Sequence, residues 1–348
     1  MAELNKARKM LADMFIKALE ENELEWKKGW QTIGGEAPVN AVANNKYRGI
    51  NRMLLSFVAM QNGWEDNRWC TFKQAQKKGW TIIKGSKGTP VEYWNLYDKL
   101  TEKNYSFREA EKIIREDPER EKDFVMVSKT FTVFNAAQID GIPKLPEVEK
   151  KYDIKLNDFV ENVAKNMDIA VVPGGNRACY VPSDDIIRMP PKERFVDDYK
   201  YNSTLLHELS HATGHSSRLN RPIQNRFGTE DYAKEELRAE ISSCFLTSAL
   251  PIVYSDEHLN NHKAYVQSWI KAIKDDKNEL FKAIKDANNI ADYIMEKGEI
   301  EKFLTQEEII AEKEQPDIVS AEDINNFNDI LEQMREKEDV EKKISMSL

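Results

Sequence analysis

The sequence is poor in cysteine, with only Cys70, Cys179 and Cys244 among 348 residues and no CxxC pair. Cysteines so few and so far apart favour neither a disulfide framework nor a cysteine zinc site. The chain also lacks a run of about 18 apolar residues, which a membrane-spanning helix needs, and an apolar signal region near its start. We therefore expect a cytoplasmic protein that makes no membrane contact and whose cysteines are buried or inert.

A phosphate-binding GxxxxGK[ST] loop is absent too, and the glycine-lysine turn KGSKG is too short to replace it. The net charge of −9 argues against nucleic acid only as an average. Residues 41–90 hold nine Lys/Arg and two Asp/Glu, a balance of +7, whereas residues 301–348 hold six and fourteen, a balance of −8. The uneven distribution predicts a basic module and an acidic tail.

The motif HELSH at 207–211 points to metal chemistry. On a helix, His207 and His211 project from one face about one turn apart, which lets two imidazoles bind one Zn²⁺. Glu208 then points toward a metal-bound water and can take its proton, as metal-assisted hydrolysis requires. The leucines around the motif form an apolar stripe, Ser203 can cap the start of the helix, and Gly214 can end it.

A third ligand must come from elsewhere. In the pattern HExxHxxGxxH the last histidine would fall at Ser217, so that class is excluded. The segment EELRAE offers Glu236 and Glu240 on one helical face. We predict Glu236 as the third ligand, Glu240 as the carboxylate that orients a ligand histidine through its other ring nitrogen, and Glu235 as the fallback ligand.

Ordinary explanations compete with this interpretation. HExxH also occurs by chance, and a helix with two histidines and a glutamate can be a solvated surface, although the apolar stripe, the glycine and the ExxxE helix favour a metal site. His215 lies past Gly214 and is better explained as a surface residue. The pair His258 and His262 suits an exposed helix, but His262 or Tyr265 could support an oxyanion if that helix folds over the metal.

The basic segment interleaves cations with aromatic side chains, among them Trp64, Trp69, Phe72, Trp80 and Trp94. Lysines and arginines track phosphates and exposed rings stack on unpaired bases, so the composition suits single-stranded nucleic acid. The competing explanation is a small α+β core in which the tryptophans are buried and the lysines solvated.

Alternating strand and helix signals predict an α+β chain with two domains. We place a nucleic-acid-binding domain at 1–145, a domain bearing the metal site at 146–305 with a small antiparallel or mixed sheet, and a mobile acidic tail or loosely docked helix at 306–348. The boundary falls near Pro146, in a segment with prolines and a glycine. The charged segment 101–122 is expected to be an exposed helix or an insertion.

Longer stretches carry a family resemblance. NKYRGINRMLL, TFKQAQKKGW, KGSKGTPVEYW and FTVFNAAQIDGIP resemble the N-terminal single-stranded-DNA-binding domain of ArdC-type antirestriction proteins. VPSDDIIRMPP, LLHELSHATGHSSRLNR, YAKEELRAEISSCFL and AYVQSWIKAIKDD resemble the zincin-like metallopeptidase domain that follows it in that family. The resemblance covers roughly residues 5–300 in order.

The resemblance implies a protein of bacterial mobile elements that binds single-stranded DNA and helps incoming DNA escape restriction endonucleases. Its metallopeptidase half is similar to Spartan-type proteases, which act on DNA-bound proteins. His207, His211 and Glu236 would hold the metal and Glu208 would be the base. From charge and aromaticity we infer the residues at the DNA surface: Tyr47, Arg48, Asn51, Arg52, Trp69, Lys73, Lys78, Lys84 and Lys87. The alternatives are a DNA-binding protector with a structural or vestigial zinc, and a Spartan-like DNA-dependent protease that acts on DNA-bound proteins.

Overall fold

The N-terminal half is built on a five-stranded sheet. The computed structural model describes residues 6–22, 37–144, 156–223, 229–247, 250 and 256–302, with backbone alone at 22, 108, 247 and 256–265. The sheet has the order β1-β2-β6-β4-β5, in which β1 runs parallel to β2 and the other neighbours are antiparallel. Its strands are β1 (Val39–Asn40), β2 (Arg68–Thr71), β4 (Thr89–Asp98), β5 (Lys103–Tyr105) and β6 (Phe124–Asn135).

Two long helices and several short elements accompany this sheet. A two-stranded ribbon pairs β3 with β7 in antiparallel fashion. The elements are α1 (Lys6–Asn22), α2 (Gly49–Asn62), α3 (Phe72–Lys77), β3 (Thr81–Ile82), α4 (Phe107–Glu116) and β7 (Ile139–Asp140). Local sequence sets their ends: Gly63 ends α2 in the left-handed conformation, with φ 64°, and capping boxes begin α3 at Thr71 and α4 at Ser106.

The C-terminal half is mainly helical around a small mixed sheet. The sheet order is β8-β10-β9, with β10 parallel to β8 and antiparallel to β9. The strands are β8 (Ala170–Pro173), β9 (Cys179–Val181) and β10 (Ile186–Met189). The helices are α5 (Leu156–Asn166), α6 (Asp198–Ala212), α7 (Glu230–Thr247), α8 (Asp256–Asp275) and α9 (Asn278–Lys297). The α+β, two-domain architecture predicted from the sequence is confirmed.

The two halves share one apolar core. Buried side chains of α1, α2 and β4 belong to the same continuous cluster as those of α6, α7 and α9. Polar contacts cross the same interface: Arg52 donates to the carbonyl of Phe245 at 2.6 Å and its guanidinium lies over the Phe245 ring, while Arg48 pairs with Asp292. Burial lowers the pKa of Arg52 to about 10. The boundary predicted near Pro146 and the acidic tail lie outside the described residues.

The charged segment 101–122 has a defined structure. It contributes β5, α4 and a 3-10 turn at Pro118–Asp123, and α4 packs Phe107, Ala110 and Ile114 against Leu96 and Phe124. It is therefore an insertion with a small core of its own. Cys70 and Cys244 are buried and Cys179 is exposed. None of the described helices combines the length and the apolar character that crossing a bilayer demands.

Candidate functional site

The HELSH motif occupies the last two turns of α6. This helix begins after Asp197, whose side chain accepts a hydrogen bond from the backbone N–H of Lys200 at 2.7 Å. Leu205, Leu206 and Leu209 are buried and anchor the helix in the core. The opposite side of the same two turns presents His207 and His211 to Glu236 of α7.

Three side chains converge between α6 and α7. The Nε2 atoms of His207 and His211 are 3.2 Å apart, and the carboxylate oxygens of Glu236 lie 3.7 Å from the first and 3.6 Å from the second. One ligand atom from each of the three residues can be chosen so that all lie within 4.8 Å of one another. Two imidazole nitrogens and one carboxylate oxygen in a buried place are a donor set that suits a divalent metal, zinc above all.

The electrostatics of this cluster also suit a cation. Burial lowers the pKa of His211, but the negative charges of Glu236, Glu235 and Glu208 outweigh that effect and raise it to about 9. Glu208, Glu235, Glu236 and Glu240 are all buried. Several buried carboxylates around two imidazoles create a negative potential, and a bound divalent cation would compensate it.

Glu235 makes the contact with His211 that the sequence analysis predicted for Glu240. The Oε1 atom of Glu235 lies 3.4 Å from Nδ1 of His211, the ring nitrogen that faces away from Glu236. Burial raises the pKa of Glu235, but the charge of Arg221 and the contact with His211 lower it below its usual range. Glu240 is fully buried one turn beyond Glu236, and its predicted role in orienting a ligand histidine stays a prediction.

Glu208 meets the edge of the small sheet. Its Oε2 accepts a hydrogen bond from the backbone N–H of Tyr180 at 2.8 Å, and Tyr180 lies in β9. The Tyr180 hydroxyl donates to Asp185, which also pairs with Arg218 on the loop after α6. The carboxylate predicted to be the base is thus held beside the metal ligands, between α6 and an edge strand.

The other histidines take different places. His215 lies past the end of α6, where Nδ1 is 2.8 Å from the Ser217 hydroxyl and 3.8 Å from Asp185. This position agrees with the surface location expected from the sequence. His262 and Tyr265, the predicted oxyanion support, belong to α8, but their side chains lie outside the described residues.

Four residues predicted to contact DNA are in the interior. Tyr47, Asn51, Arg52 and Trp69 are 4%, 5%, 8% and 0% exposed. Asn51 donates to the carbonyl of Glu92 at 2.7 Å and accepts from its N–H at 2.9 Å, which ties α2 to β4. The prediction that these four side chains contact DNA is therefore wrong. Their polar and aromatic groups hold the fold together instead.

The remaining predicted DNA residues reach the surface. Lys73, Lys78, Lys84 and Lys87 are exposed, whereas Arg48, also exposed in part, pairs with Asp292 of the other half. The sequence analysis missed a second group on the sheet. Phe131 is 43% exposed on β6, its ring contacts Tyr93 of β4 at 5.9 Å, and Lys129 stands directly opposite Tyr93. A two-residue alternation along β6 could have indicated this group.

Family models match both halves of the chain. Residues 5–134 match the N-terminal domain of the anti-restriction factor ArdC, and residues 158–286 match a zincin-like metallopeptidase. The crystal structure of the Mn(II)-bound antirestriction ArdC protein from plasmid R388 is similar, with a TM-score of 0.66 and 31% identity over 85% of this chain and 98% of that one. The metal-free structure of the same protein gives a TM-score of 0.63.

Curated relatives extend the comparison. Two DNA primases TraC from Escherichia coli are 37% and 38% identical over 317 and 295 residues. The chain spans only 29% and 20% of their lengths. An uncharacterized protein y4eC of Sinorhizobium fredii is 31% identical over 82% of this chain and 90% of that protein.

Proposed function

The chain belongs to the family of ArdC-type antirestriction proteins, and from this membership we propose that it binds single-stranded DNA and hydrolyses peptide bonds at a zinc site. In this proposal it protects the DNA of a mobile element from restriction, with proteins on that DNA, such as restriction endonucleases, as the partners of the peptidase. The observation that supports the enzymatic part most strongly is the convergence of His207, His211 and Glu236 beside Glu208.

The proposed metal site divides its work among five side chains. His207, His211 and Glu236 would hold the ion, and Glu235 would keep the ring of His211 oriented. Zinc, when bound, would polarise the scissile carbonyl and acidify a water molecule. Glu208 would take the proton of the attacking water and return it to the leaving amine. Its hydrogen bond from Tyr180 N–H restricts the rotation of the carboxylate, so that the proton acceptor stays aimed at the site.

Strand β9 supplies the peptide-binding edge in this proposal. It lies at one edge of the sheet, where an extended peptide can pair with its backbone, and it is already in contact with Glu208. The N–H of Tyr180 points away from β10 toward Glu208, so the base and the edge of the strand lie on the same side.

Single-stranded DNA would bind the exposed basic and aromatic groups of the N-terminal half. Lys73, Lys78, Lys84 and Lys87 would contact phosphates, and Phe131 with Lys129 would add a ring for stacking and a further cation. Phosphate contacts and base stacking do not depend on sequence, but stacking requires bases that are unpaired. Affinity for an oligonucleotide should therefore fall steeply as salt rises, and single strands should bind more tightly than a duplex that hides its bases.

The second candidate function is DNA protection by binding alone, with a metal of structural purpose. One oxygen of Glu208 accepts a hydrogen bond from strand β9 of the protein itself. This contact joins α6 to the small sheet, and it is the observation that favours a structural role for the site.

Glu208→Gln separates the two candidates. Glutamine can still accept the hydrogen bond from Tyr180 N–H but cannot act as a base, so zinc content and affinity for single-stranded DNA should equal those of the parent while peptide hydrolysis falls about 100-fold or more. If the parent binds zinc and DNA but cleaves no protein on DNA, the enzymatic part is wrong. If the variant also protects DNA from a restriction enzyme as well as the parent does, protection does not use the hydrolytic chemistry.

A further inference from the structure

We propose that Arg221 is the positioning residue of the metal site, which acts through Glu235 to hold His211 with its Nε2 atom toward the ion. The inference rests on the proposed metal site and adds a residue that no part of the HExxH pattern includes. Arg221 lies on the loop after α6, ten positions beyond His211, and Glu235 lies on α7 next to Glu236.

The contacts of Arg221 join both ligand-bearing helices. Its Nη2 donates to Glu235 Oε1 at 2.7 Å and to the carbonyl of Ser210 at 3.0 Å, and its Nη1 donates to the Thr213 hydroxyl at 2.7 Å. The Thr213 hydroxyl in turn donates to the same Ser210 carbonyl at 2.7 Å. A guanidinium presents several donors in one fixed plane, which allows it to bind a carboxylate and backbone oxygens together.

The Glu235 oxygen that accepts a hydrogen bond from Arg221 is also the oxygen nearest to His211. Oε1 of Glu235 accepts from Arg221 and lies 3.4 Å from Nδ1 of the histidine. Because Nδ1 is engaged there, the other nitrogen of the ring is the one left to face Glu236 and His207. Fixing the far nitrogen of a ligand histidine selects its tautomer and ring orientation.

The surroundings of Arg221 are close-packed. Its side chain is 6% exposed and that of Glu235 is 7% exposed, so the pair lies in the interior. The backbone N–H of Arg221 donates to the carbonyl of Gly214 at 2.9 Å. A Cβ atom at Gly214 would lie 3.1 Å from Nη2 of Arg221 and 2.4 Å from Ile223. A side chain at 214 would clash with Ile223 and press against the guanidinium, which gives a packing reason for a glycine where no left-handed turn requires one.

The test is a titration of the full chain, freed of metal with a chelator, with Co²⁺, whose visible absorption reports its ligands. Arg221→Met should weaken Co²⁺ binding about 10- to 100-fold, the range found for residues that orient ligand histidines. Arg221→Lys, which keeps the charge but not the fork of donors, should fall between the parent and the methionine variant. Glu235→Gln should weaken binding to a similar degree.

Arg218→Met is the matched control. Arg218 lies on the same loop with a side chain only 4% exposed, but it pairs with Asp185 rather than with Glu235. Loss of a buried guanidinium should lower the thermal unfolding temperature in both methionine variants, whereas the folded Arg218 variant should bind Co²⁺ with the affinity and spectrum of the parent.

The double variant Arg221→Met/Glu235→Gln distinguishes action through Glu235 from a separate effect. If Arg221 acts through Glu235, the double variant should bind about as weakly as either single variant, because both changes remove one interaction. The proposal would be overturned if the two losses of Co²⁺ affinity multiply in the double variant. It would also be overturned if Arg221→Met binds Co²⁺ within twofold of the parent affinity. A parent that binds no metal would instead overturn the proposed function itself.

Discussion

Single carboxylates decide what the site between α6 and α7 can hold. Glu235, Glu236 and Glu240 are all buried on α7, and the contacts described above place the first two against histidines. The spacing of four between Glu236 and Glu240 indicates a shared helical face and directs attention to Glu236. It could not reveal the contact between Glu235 and the other ring nitrogen of His211. That contact exists only because the two helices pack together in the folded chain.

Substitution of these glutamates gives a prediction at this scale. Glu236→Gln should lower zinc affinity by a factor of 100 or more, because a neutral amide oxygen is a poor ligand for zinc, whereas Glu240→Gln should lower it much less. Calorimetric titration of zinc into both chelator-treated variants provides the measurement. Equal losses in the two variants would mean that the third ligand is misassigned.

The burial of single residues also shows why composition alone cannot predict which side chains contact DNA. Tyr47, Asn51, Arg52 and Trp69 were chosen by charge and aromaticity, properties that serve a binding surface and a packed interior alike. Asn51 shows why: its amide group satisfies both the N–H and the carbonyl of Glu92 inside the sheet. A buried backbone needs such partners, and no feature of the local sequence distinguishes this role from a contact with a base.

Among the elements, β6 carries the exposed ring that we assign to DNA. Phe131→Ala should weaken binding of single-stranded DNA about 5- to 150-fold, the loss of one base stack, because the ring is accessible and contacts only Tyr93 among the described aromatic pairs. Leu100→Ala is the control, since Leu100 is 66% exposed in the turn after β4 but offers no ring. Fluorescence anisotropy with a labelled oligonucleotide measures both. Equal affinities for the parent and the Phe131 variant would remove β6 from the DNA surface.

The β4–β5 turn should make stability depend on pH. Burial raises the pKa of Asp98, but hydrogen bonds from Thr101 and Arg120 and the charge of Arg120 lower it to about 2. A depressed pKa contributes stability that is complete above the unfolded value of about 4 and is lost as the pH falls toward 2. In urea unfolding, the difference between the parent and Asp98→Asn should therefore shrink over that window.

Glu119→Gln is the control for this pH dependence. Glu119 is 88% exposed and its nearest cation, Lys122, is 3.7 Å away, so the substitution should leave the pH profile of the parent unchanged. A difference between the parent and Asp98→Asn that stays constant from pH 5 to about pH 2 would contradict the ionised Asp98–Arg120 pair.

The sequence predicts which segments form helices better than it predicts the residues at which those helices begin. The apolar stripe predicts the HELSH helix and suggests Ser203 as its cap, whereas the cap in the structure is Asp197, six residues earlier. Aspartate and serine are both favoured at the N-terminal cap of a helix, so Asp197 and Ser203 are both candidates in the sequence. The packing of the first turn selects Asp197, which accepts a hydrogen bond from the N–H of Lys200. The same limit applies to α4: its sequence predicts an exposed helix or an insertion, but its buried face depends on Leu96 and Phe124.

Over the whole molecule, the two halves are predicted to unfold together. The apolar cluster is continuous across them, and Arg8 of α1 lies over rings of both β4 and α9, Trp94 and Phe281. Tryptophan fluorescence and circular dichroism should therefore follow one transition in urea, and Arg52→Met should move it without splitting it. Two separate transitions would mean that the interface contributes little to the free energy of unfolding.

The shared core was the part of the architecture that the sequence hid. Composition and family patterns placed a boundary between two motif-bearing halves, and each half was expected to have its own core. Contacts such as Arg52 with Phe245 join positions 193 residues apart, and such pairs leave no local pattern. A fragment that ends near residue 146 would expose the apolar sides of α1 and α2, so DNA binding is better measured on the full chain.

The most direct measurement of the central claim is an anomalous difference map at the zinc absorption edge from crystals of the full chain grown with zinc. The account predicts one strong peak enclosed by the Nε2 atoms of His207 and His211 and the carboxylate of Glu236. The absence of a peak there, or a single peak elsewhere on the molecule, would contradict it.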